Sequence, residues 1–241
     1  MTLQLRSAAV TDRGLVRAAN QDAVFAGSRL LAVADGMGGM AAGDLASAIV
    51  IDAIGPLEAD HADGQLVDVL REAIEDAGAR IRAAVAEDPT RDGMGTTLTA
   101  VLFSVTGTEV ALAHVGDSRA YLVRDGLLQQ MTKDDTFVQM LVDEGVITAD
   151  QASSHPRRAV VTQALQGDPV EPAYSTMPPQ AGDRWLLCSD GLSNVVREET
   201  IAEVLAGSPD RADAAHRLVD LARRAGGPDN ITVIVADIVD E

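Results

Sequence analysis

Residues 96–124 have the sequence TTLTAVLFSVTGTEVALAHVGDSRAYLVR, in which apolar and β-branched residues come in short runs separated by turn formers. Such runs indicate antiparallel strands joined by tight turns. We predict an antiparallel meander from four of them, at 96–105, 109–115, 119–124 and, after the turn at Asp125-Gly126, 127–132. The middle of the chain is therefore expected to be a β-sheet.

Strands and helices flank this stretch in blocks, without strict alternation. Further strands are predicted at 3–10, 29–34, 183–188 and 230–238. Helices are predicted at 41–54, 65–86, 198–206 and 210–224, and 135–165 reads as a broken helical excursion on the surface. This order favours an α+β domain, in which antiparallel sheets are covered by helices, and we expect residues 1–241 to form a single domain.

The composition excludes several functions. The 241 residues carry 19 basic and 37 acidic side chains, a net charge of −18 that argues against nucleic acid as a ligand. The only lysine, Lys133, follows no glycine-rich loop, so a P-loop is excluded. The only cysteine, Cys188, leaves no internal disulfide or cysteine-bound zinc and suits a reducing compartment. No stretch of the sequence resembles a membrane span or a signal peptide.

Four aspartates stand where predicted apolar strands begin or end, each beside a glycine or another turn former: Asp35, Asp117, Asp190 and Asp229. Two carboxylates about 4 Å apart repel by roughly 4 kcal/mol at an effective dielectric constant near 20, so a cluster of them must bind protons or cations. Ligands that are all oxygen favour Mg²⁺ or Mn²⁺, and paired ions of this kind suit phosphate-ester hydrolysis. For each aspartate taken singly, a role as a turn or cap residue is the favoured interpretation, and spacing alone does not establish that the four converge.

Seven motifs in order strengthen the first interpretation. They are Arg17-Ala-Ala-Asn-Gln-Asp22, Asp35-Gly-Met-Gly-Gly39, Gly95-Thr-Thr97, His114-Val-Gly-Asp-Ser-Arg119, His155-Pro156, Ser189-Asp-Gly191 and Gly227-Pro-Asp-Asn-Ile-Thr232. With these motifs the chain resembles, from about Thr11 to Ile238, the metal-dependent protein serine/threonine phosphatases (the PPM, or type 2C, family) and in particular their compact bacterial branch. The resemblance implies two packed antiparallel sheets flanked by helices, an αββα sandwich with the metals in a cleft at one edge.

The resemblance also implies the metal ligands. Asp35 would bridge two Mn²⁺ or Mg²⁺ ions, and the Gly36 carbonyl would bind the second ion. Asp190 and Asp229 would complete the shell of the first ion, and Asp22 would act through metal-bound water.

The remaining implied roles concern substrate binding and a third ion. Arg17 would hold the substrate phosphate, which makes Arg17, Asp35, Asp190 and Asp229 the catalytic set. Asp117 would form a third metal site with Asp190, and the variable flap of the family would fall at about 134–165.

Three positions depart from the family pattern. Gln21 stands where many members have glutamate, but a glutamine side chain is still able to bind a metal-bound water. Met40 stands where many bacterial members have a histidine that could protonate the leaving group, so the general acid stays unidentified. Ala159 replaces a small polar residue near the third metal, which weakens the expected affinity of that site.

The function expected from these features is hydrolysis of phosphoserine and phosphothreonine in proteins by water activated between two ions. The alternatives are a catalytically degenerate module that binds phosphoproteins, and a metal phosphodiesterase for small molecules. The expected partners are phosphorylated proteins, including serine/threonine kinases. We expect a cytoplasmic monomer, which could be the cytosolic domain of a membrane-anchored protein, as in bacterial relatives.

Overall fold

Alternating side chains along the strands build two antiparallel sheets, which pack face to face in the computed structural model of residues 3–59 and 65–240. The described strands are β1 (Leu3–Asp12), β2 (Asp22–Ala26), β3 (Leu30–Met37), β4 (Gly95–Thr96), β5 (Leu98–Phe103), β6 (Val110–Val115), β7 (Arg119–Arg124), β8 (Leu127–Gln130), β9 (Ala173–Met177), β10 (Arg184–Cys188) and β11 (Ile231–Asp240). The first sheet has the order β1-β11-β10-β7-β8. The second has the order β2-β3-β5-β6-β9, with the short β4 paired to the end of β3.

Helices cover the outer face of each sheet. The described helices are α1 (Gly39–Ile54), α2 (Leu66–Glu87), α3 (Phe137–Asp143), α4 (Ala149–Ser153), α5 (Asp190–Ser193), α6 (Glu198–Gly207) and α7 (Arg211–Arg224). Helices α1 and α2 pack on the second sheet, whereas α6 and α7 pack on the first. Within the described ranges, no helix combines the length and apolar character that a bilayer crossing needs.

The strands at the centre of the sandwich are apolar on both faces because both faces are buried. In β3, Leu31 and Val33 face the other sheet, whereas Leu30 and Ala32 face α1 and α2. The strands β5, β6, β10 and β11 divide their side chains in the same way. Three apolar layers result: helix on sheet, sheet on sheet, and sheet on helix. The predicted sandwich of helices and two antiparallel sheets is therefore confirmed.

The predicted meander is wrong at one connection. Strands β5 and β6 pair in the second sheet, and β7 and β8 pair in the first, so the chain changes sheets between Val115 and Arg119. Gly116 makes this crossing with φ 103°, a conformation that side chains disfavour. Side chains alternate in the same way along strands of both sheets, so the sequence pattern could not indicate that the chain changes sheets here.

Three smaller differences concern element bounds. Strand β3 continues past the predicted end at Ala34 through Asp35 to Met37, because β4 supplies a new partner there. The first predicted strand of the meander is interrupted at Thr97 and becomes β4 and β5. The edge strand β9 was not predicted, since its polar and partly exposed residues lack an apolar alternation.

Candidate metal and phosphate site

A cleft of about 570 Å³ opens at one edge of the sandwich, where ends of both sheets meet. Its walls include six of the seven predicted site residues: Arg17, Asp35, Gly36, Asp117, Asp190 and Asp229. The seventh, Asp22, lies beside Asp35 on the neighbouring strand, because the antiparallel pairing of β2 with β3 places the two residues directly opposite each other. The structure thus brings together residues that are more than 200 positions apart in the sequence.

The second sheet holds Asp35 rigidly at the change of partner strand. The Thr97 amide and the Thr96 hydroxyl both donate to the Asp35 carbonyl at 2.9 Å, and the Asp35 amide donates to the Thr97 hydroxyl at 3.0 Å. The main chain of Asp35 is therefore fully occupied. Its carboxylate is left as the group that faces the other aspartates.

The first sheet contributes three carboxylates from three loops at the same end. Asp117 follows the crossing at Gly116, Asp190 opens the short helix α5 after β10, and Asp229 precedes β11. The Ser189 hydroxyl donates to Asp22 at 2.8 Å and so ties the two sheets together. Asn194 donates to one oxygen of Asp190 at 2.8 Å. Among the residues that the structure describes, the other oxygen of Asp190 and one oxygen of Asp22 are buried without a hydrogen-bond partner.

Burial and mutual repulsion raise the pKa of these carboxyl groups. Burial raises the pKa of Asp35 well above its usual range, and the charges of the neighbouring aspartates add to the effect. Burial together with the charges of Asp117 and Asp229 raises the pKa of Asp190 to about 8. The pKa values of Asp22 and Asp117 rise to about 6, again mainly through burial.

The donor set fits hard divalent cations. Buried carboxylate oxygens without partners and raised pKa values are what a cluster shows when its counter-charge is a cation. No three histidine, cysteine or carboxylate groups within residues 3–59 and 65–240 come close enough to hold one ion by themselves. An ion held here would need further oxygen ligands, from water or from main-chain carbonyls such as that of Gly36, and Mg²⁺ usually keeps several waters when a protein binds it.

Arg17 stands at the mouth of the cleft on the loop between β1 and β2. Its side chain is half exposed and donates to Asp229 at 2.6 Å. This hydrogen bond is the main reason that the pKa of Arg17 is raised. The guanidinium is therefore aimed along the cleft wall, with further N–H groups left for an anion.

Asn230 fixes the loop that carries Arg17. Its amide donates to the carbonyls of Arg13 and Ala19, both at 2.9 Å, and its side-chain oxygen accepts from the Gln21 amide at 2.8 Å. Asn230 is buried. The sequence reasoning gave it no role of its own, although its place beside Asp229 in a turn was a usable signal.

Gly36 and Gly43 allow helix α1 to approach β3 closely. A side chain at Gly36 would place its first carbon 2.1 Å from the Gly43 carbonyl oxygen, so only glycine fits there. The Gly36 carbonyl predicted to bind an ion thus belongs to a main chain that packs directly against α1.

Two of the three unusual positions belong to the same cleft. Gln21 and Ala159 both line it. The side chain of Met40 lies outside what the structure describes, so the prediction about the general acid remains a prediction.

The segment predicted as a flap is tethered at both ends. The Asp135 amide donates to the Gly116 carbonyl at 2.7 Å, and the Leu165 and Thr96 main chains bond to each other at 2.9 and 3.0 Å. Between these ends lie α3 and α4, which confirms the predicted helical but broken character of the segment.

Known proteins resemble the whole chain. The family model described as "Protein phosphatase 2C" matches residues 16–223. The serine/threonine protein phosphatase PstP of Mycobacterium tuberculosis (strain H37Rv) is 56% identical over all of this chain, which spans only 46% of that relative's length. The serine/threonine phosphatase stp of Listeria monocytogenes is 35% identical, with 94% of this chain and 93% of the relative covered.

Two solved structures superpose closely. The crystal structure of M. tuberculosis PstP/Ppp has a TM-score of 0.96 at 55% identity and covers 98% of this chain and 100% of its own. The catalytic domain of PstP in complex with two manganese ions has a TM-score of 0.93 at 55% identity, covering 99% and 100%. These likenesses confirm the predicted family and the sandwich fold. The chain belongs to the protein phosphatase 2C family.

Proposed function

We propose that this chain removes phosphate from phosphoserine and phosphothreonine in proteins. The observation that carries the proposal is that carboxylates from both sheets line the same cleft as Arg17. A cluster of buried carboxylates supports hard divalent ions, and an arginine beside it supports an anionic substrate with paired oxygens. The comparisons give no support to the alternative of a degenerate binding module.

The carboxylates of the cleft have proposed roles in metal binding. Asp35, Asp190 and Asp229 would hold the two core ions with help from the Gly36 carbonyl, and Asp22 would hold water in their outer shell. When bound, Mn²⁺ or Mg²⁺ supplies a nucleophile from water at neutral pH and offsets charge on the phosphoryl oxygens.

Arg17 would grip two phosphoryl oxygens and hold phosphorus in line for attack. Its hydrogen bond to Asp229 sets the orientation of the guanidinium before the substrate arrives. Asp117 would form the third ion site with Asp190.

A substitution at Asp35 tests the proposal with two readouts. Asp35→Asn removes the central negative charge, so we expect it to abolish hydrolysis of p-nitrophenyl phosphate with Mn²⁺ and to abolish the rise in melting temperature on adding Mn²⁺. Without metal at neutral pH the variant should melt higher than the wild type, because Asp35 must take up a proton to be buried among the other aspartates, whereas asparagine is neutral already.

Asp125→Asn makes the same chemical change at a turn that suits asparagine equally well, since residue 125 has φ 54°. This control should behave as the wild type in both assays. Hydrolysis by wild type that a chelator leaves intact would contradict the proposal.

More specific proposals concern the substrates, the oligomeric state, the location and the flap. We infer that the substrates include serine/threonine kinases, that the domain is a monomer in the cytoplasm, and that 134–165 acts as the flap. Light scattering after gel filtration tests the monomer, and phosphate release from an autophosphorylated kinase tests the substrate.

A further inference from the structure

Exposed apolar residues directly neighbour residues of the cleft in the sequence, and binding of a phosphate ion alone needs none of them. Leu15 and Val16 directly precede Arg17 and are 59% and 71% exposed, and Val160 lies between the cleft residues Ala159 and Val161 and is 46% exposed. We call Leu15, Val16 and Val160 the apolar rim. Large apolar side chains with this exposure are uncommon in the described part of the chain, where only Val105, Leu127, Met140 and Val146 join them.

The rim is held in place relative to the phosphate site. The Leu15 amide donates to the Gly227 carbonyl at 2.8 Å, and Asn230 bonds to the carbonyls of Arg13 and Ala19 on either side of Val16. Across the cleft, the Phe137 amide donates to the Val160 carbonyl at 2.9 Å. A fixed apolar surface beside an anion site loses little conformational entropy when a second group docks on it.

We propose that the apolar rim selects substrates in which apolar residues flank the phosphorylated residue. This inference rests on the proposed function. A protein substrate would enter the cleft with its phosphate toward Arg17, so the residues beside its phosphorylated residue would lie at the cleft mouth, where Val16 adjoins Arg17 and Val160 adjoins Val161. Contact between two apolar side chains removes area from water that would otherwise stay exposed.

Two phosphothreonine peptides test the proposal, identical except that leucine or asparagine stands on both sides of the phosphothreonine. The two residues have similar size and no charge, so the basic pair Arg157-Arg158 does not distinguish them. With Mn²⁺ we expect wild type to prefer the leucine peptide by about tenfold in kcat/KM, mainly through KM, as partial burial of a leucine allows.

Val16→Asn combined with Val160→Asn should reduce that preference to about twofold or less. The matched control is Leu127→Asn at an exposed leucine that begins β8, and this variant should retain the full preference. Melting temperatures near wild type for the exposed substitutions exclude unfolding as the cause.

The outcomes separate the two proposals. If wild type hydrolyses neither peptide nor p-nitrophenyl phosphate with Mn²⁺, the proposed function is wrong. If wild type hydrolyses both peptides with equal kcat/KM, or if the double variant keeps the leucine preference, the phosphatase assignment stands and the apolar rim has no part in selection.

Discussion

The Arg17 guanidinium already has one carboxylate partner before any substrate binds. Its bond to Asp229 is short, at 2.6 Å, but the Arg17 side chain is half exposed, and such pairs add little to folding stability. The value of the pair is geometric, since it fixes which N–H groups point into the cleft. A residue of this kind should matter for catalysis and hardly at all for stability.

Arg17→Gln tests this separation. We expect kcat/KM for a phosphopeptide to fall about 100-fold, because charge-assisted hydrogen bonds to phosphate contribute roughly 1.5–3 kcal/mol. The free energy of unfolding in urea should change by less than about 0.5 kcal/mol.

Arg13→Gln is the matched control on the same loop. Arg13 is exposed and donates to the Ala18 carbonyl at 3.3 Å, so its loss should leave kcat/KM within about twofold of wild type. Equal losses in both variants would mean that general positive charge near the cleft, rather than the placement of Arg17, binds the phosphate.

At the scale of elements, the loop between β1 and β2 has no regular structure and depends on Asn230 for its shape. Asn230→Ala removes three hydrogen bonds and leaves two carbonyls and one amide without that partner. We expect the free energy of unfolding to fall by about 2–3 kcal/mol and KM for phosphopeptide to rise, measured by urea denaturation and steady-state kinetics.

Asn230→Asp distinguishes packing from hydrogen bonding. The aspartate keeps the size and can accept from Gln21, but it places negative oxygen against the carbonyls of Arg13 and Ala19. Asn230→Asp should therefore raise KM at least as much as Asn230→Ala does. A KM unchanged in both variants would show that the loop holds Arg17 without Asn230.

Features that depend on neighbouring residues could be predicted from the sequence, whereas features that depend on residues far apart in the sequence could not. Apolar runs such as 30–34 and 231–236 predicted strands correctly, because local patterning reports burial. The change of sheet at Gly116 was missed because strands of the two sheets have the same alternation of side chains in the sequence. The role of Asn230 was also missed, because its partners Arg13 and Ala19 lie 217 and 211 residues away. Convergence of the aspartates was suggested by family resemblance, not by their spacing.

At the scale of the whole molecule, two sheets direct carboxylates toward one cleft in a protein whose net charge is already −18. Folding without metal forces these groups together and keeps protons on them. Asp35 and Asp190 hold protons in the folded state at pH values where the unfolded chain has released them. Metal-free stability must therefore fall as the pH rises through this range.

We predict that the melting temperature of the metal-free protein decreases between pH 6.5 and 8. Each proton that only the folded state retains lowers the free energy of unfolding by about 1.4 kcal/mol per pH unit. Surface carboxyls with lowered pKa values, such as Asp143 and Asp210, are ionised in both the folded and the unfolded state throughout this window. The lowered pKa of the buried His114 opposes the trend only in the lower part of the window, where the unfolded imidazole, with an ordinary pKa near 6.5, still loses its proton.

Saturating Mn²⁺ should remove this pH dependence, because the cation replaces the protons as the counter-charge of the cluster. Asp190→Asn should flatten the metal-free profile, since it deletes a group whose pKa is about 8, whereas Asp125→Asn should leave it steep. Calorimetry in chelator and in Mn²⁺ at pH 6.5, 7.2 and 8 measures both effects. A metal-free melting temperature that stays level or rises across the window would mean that the carboxylates reach the cleft already ionised, and that their repulsion is relieved by something other than protons or metal.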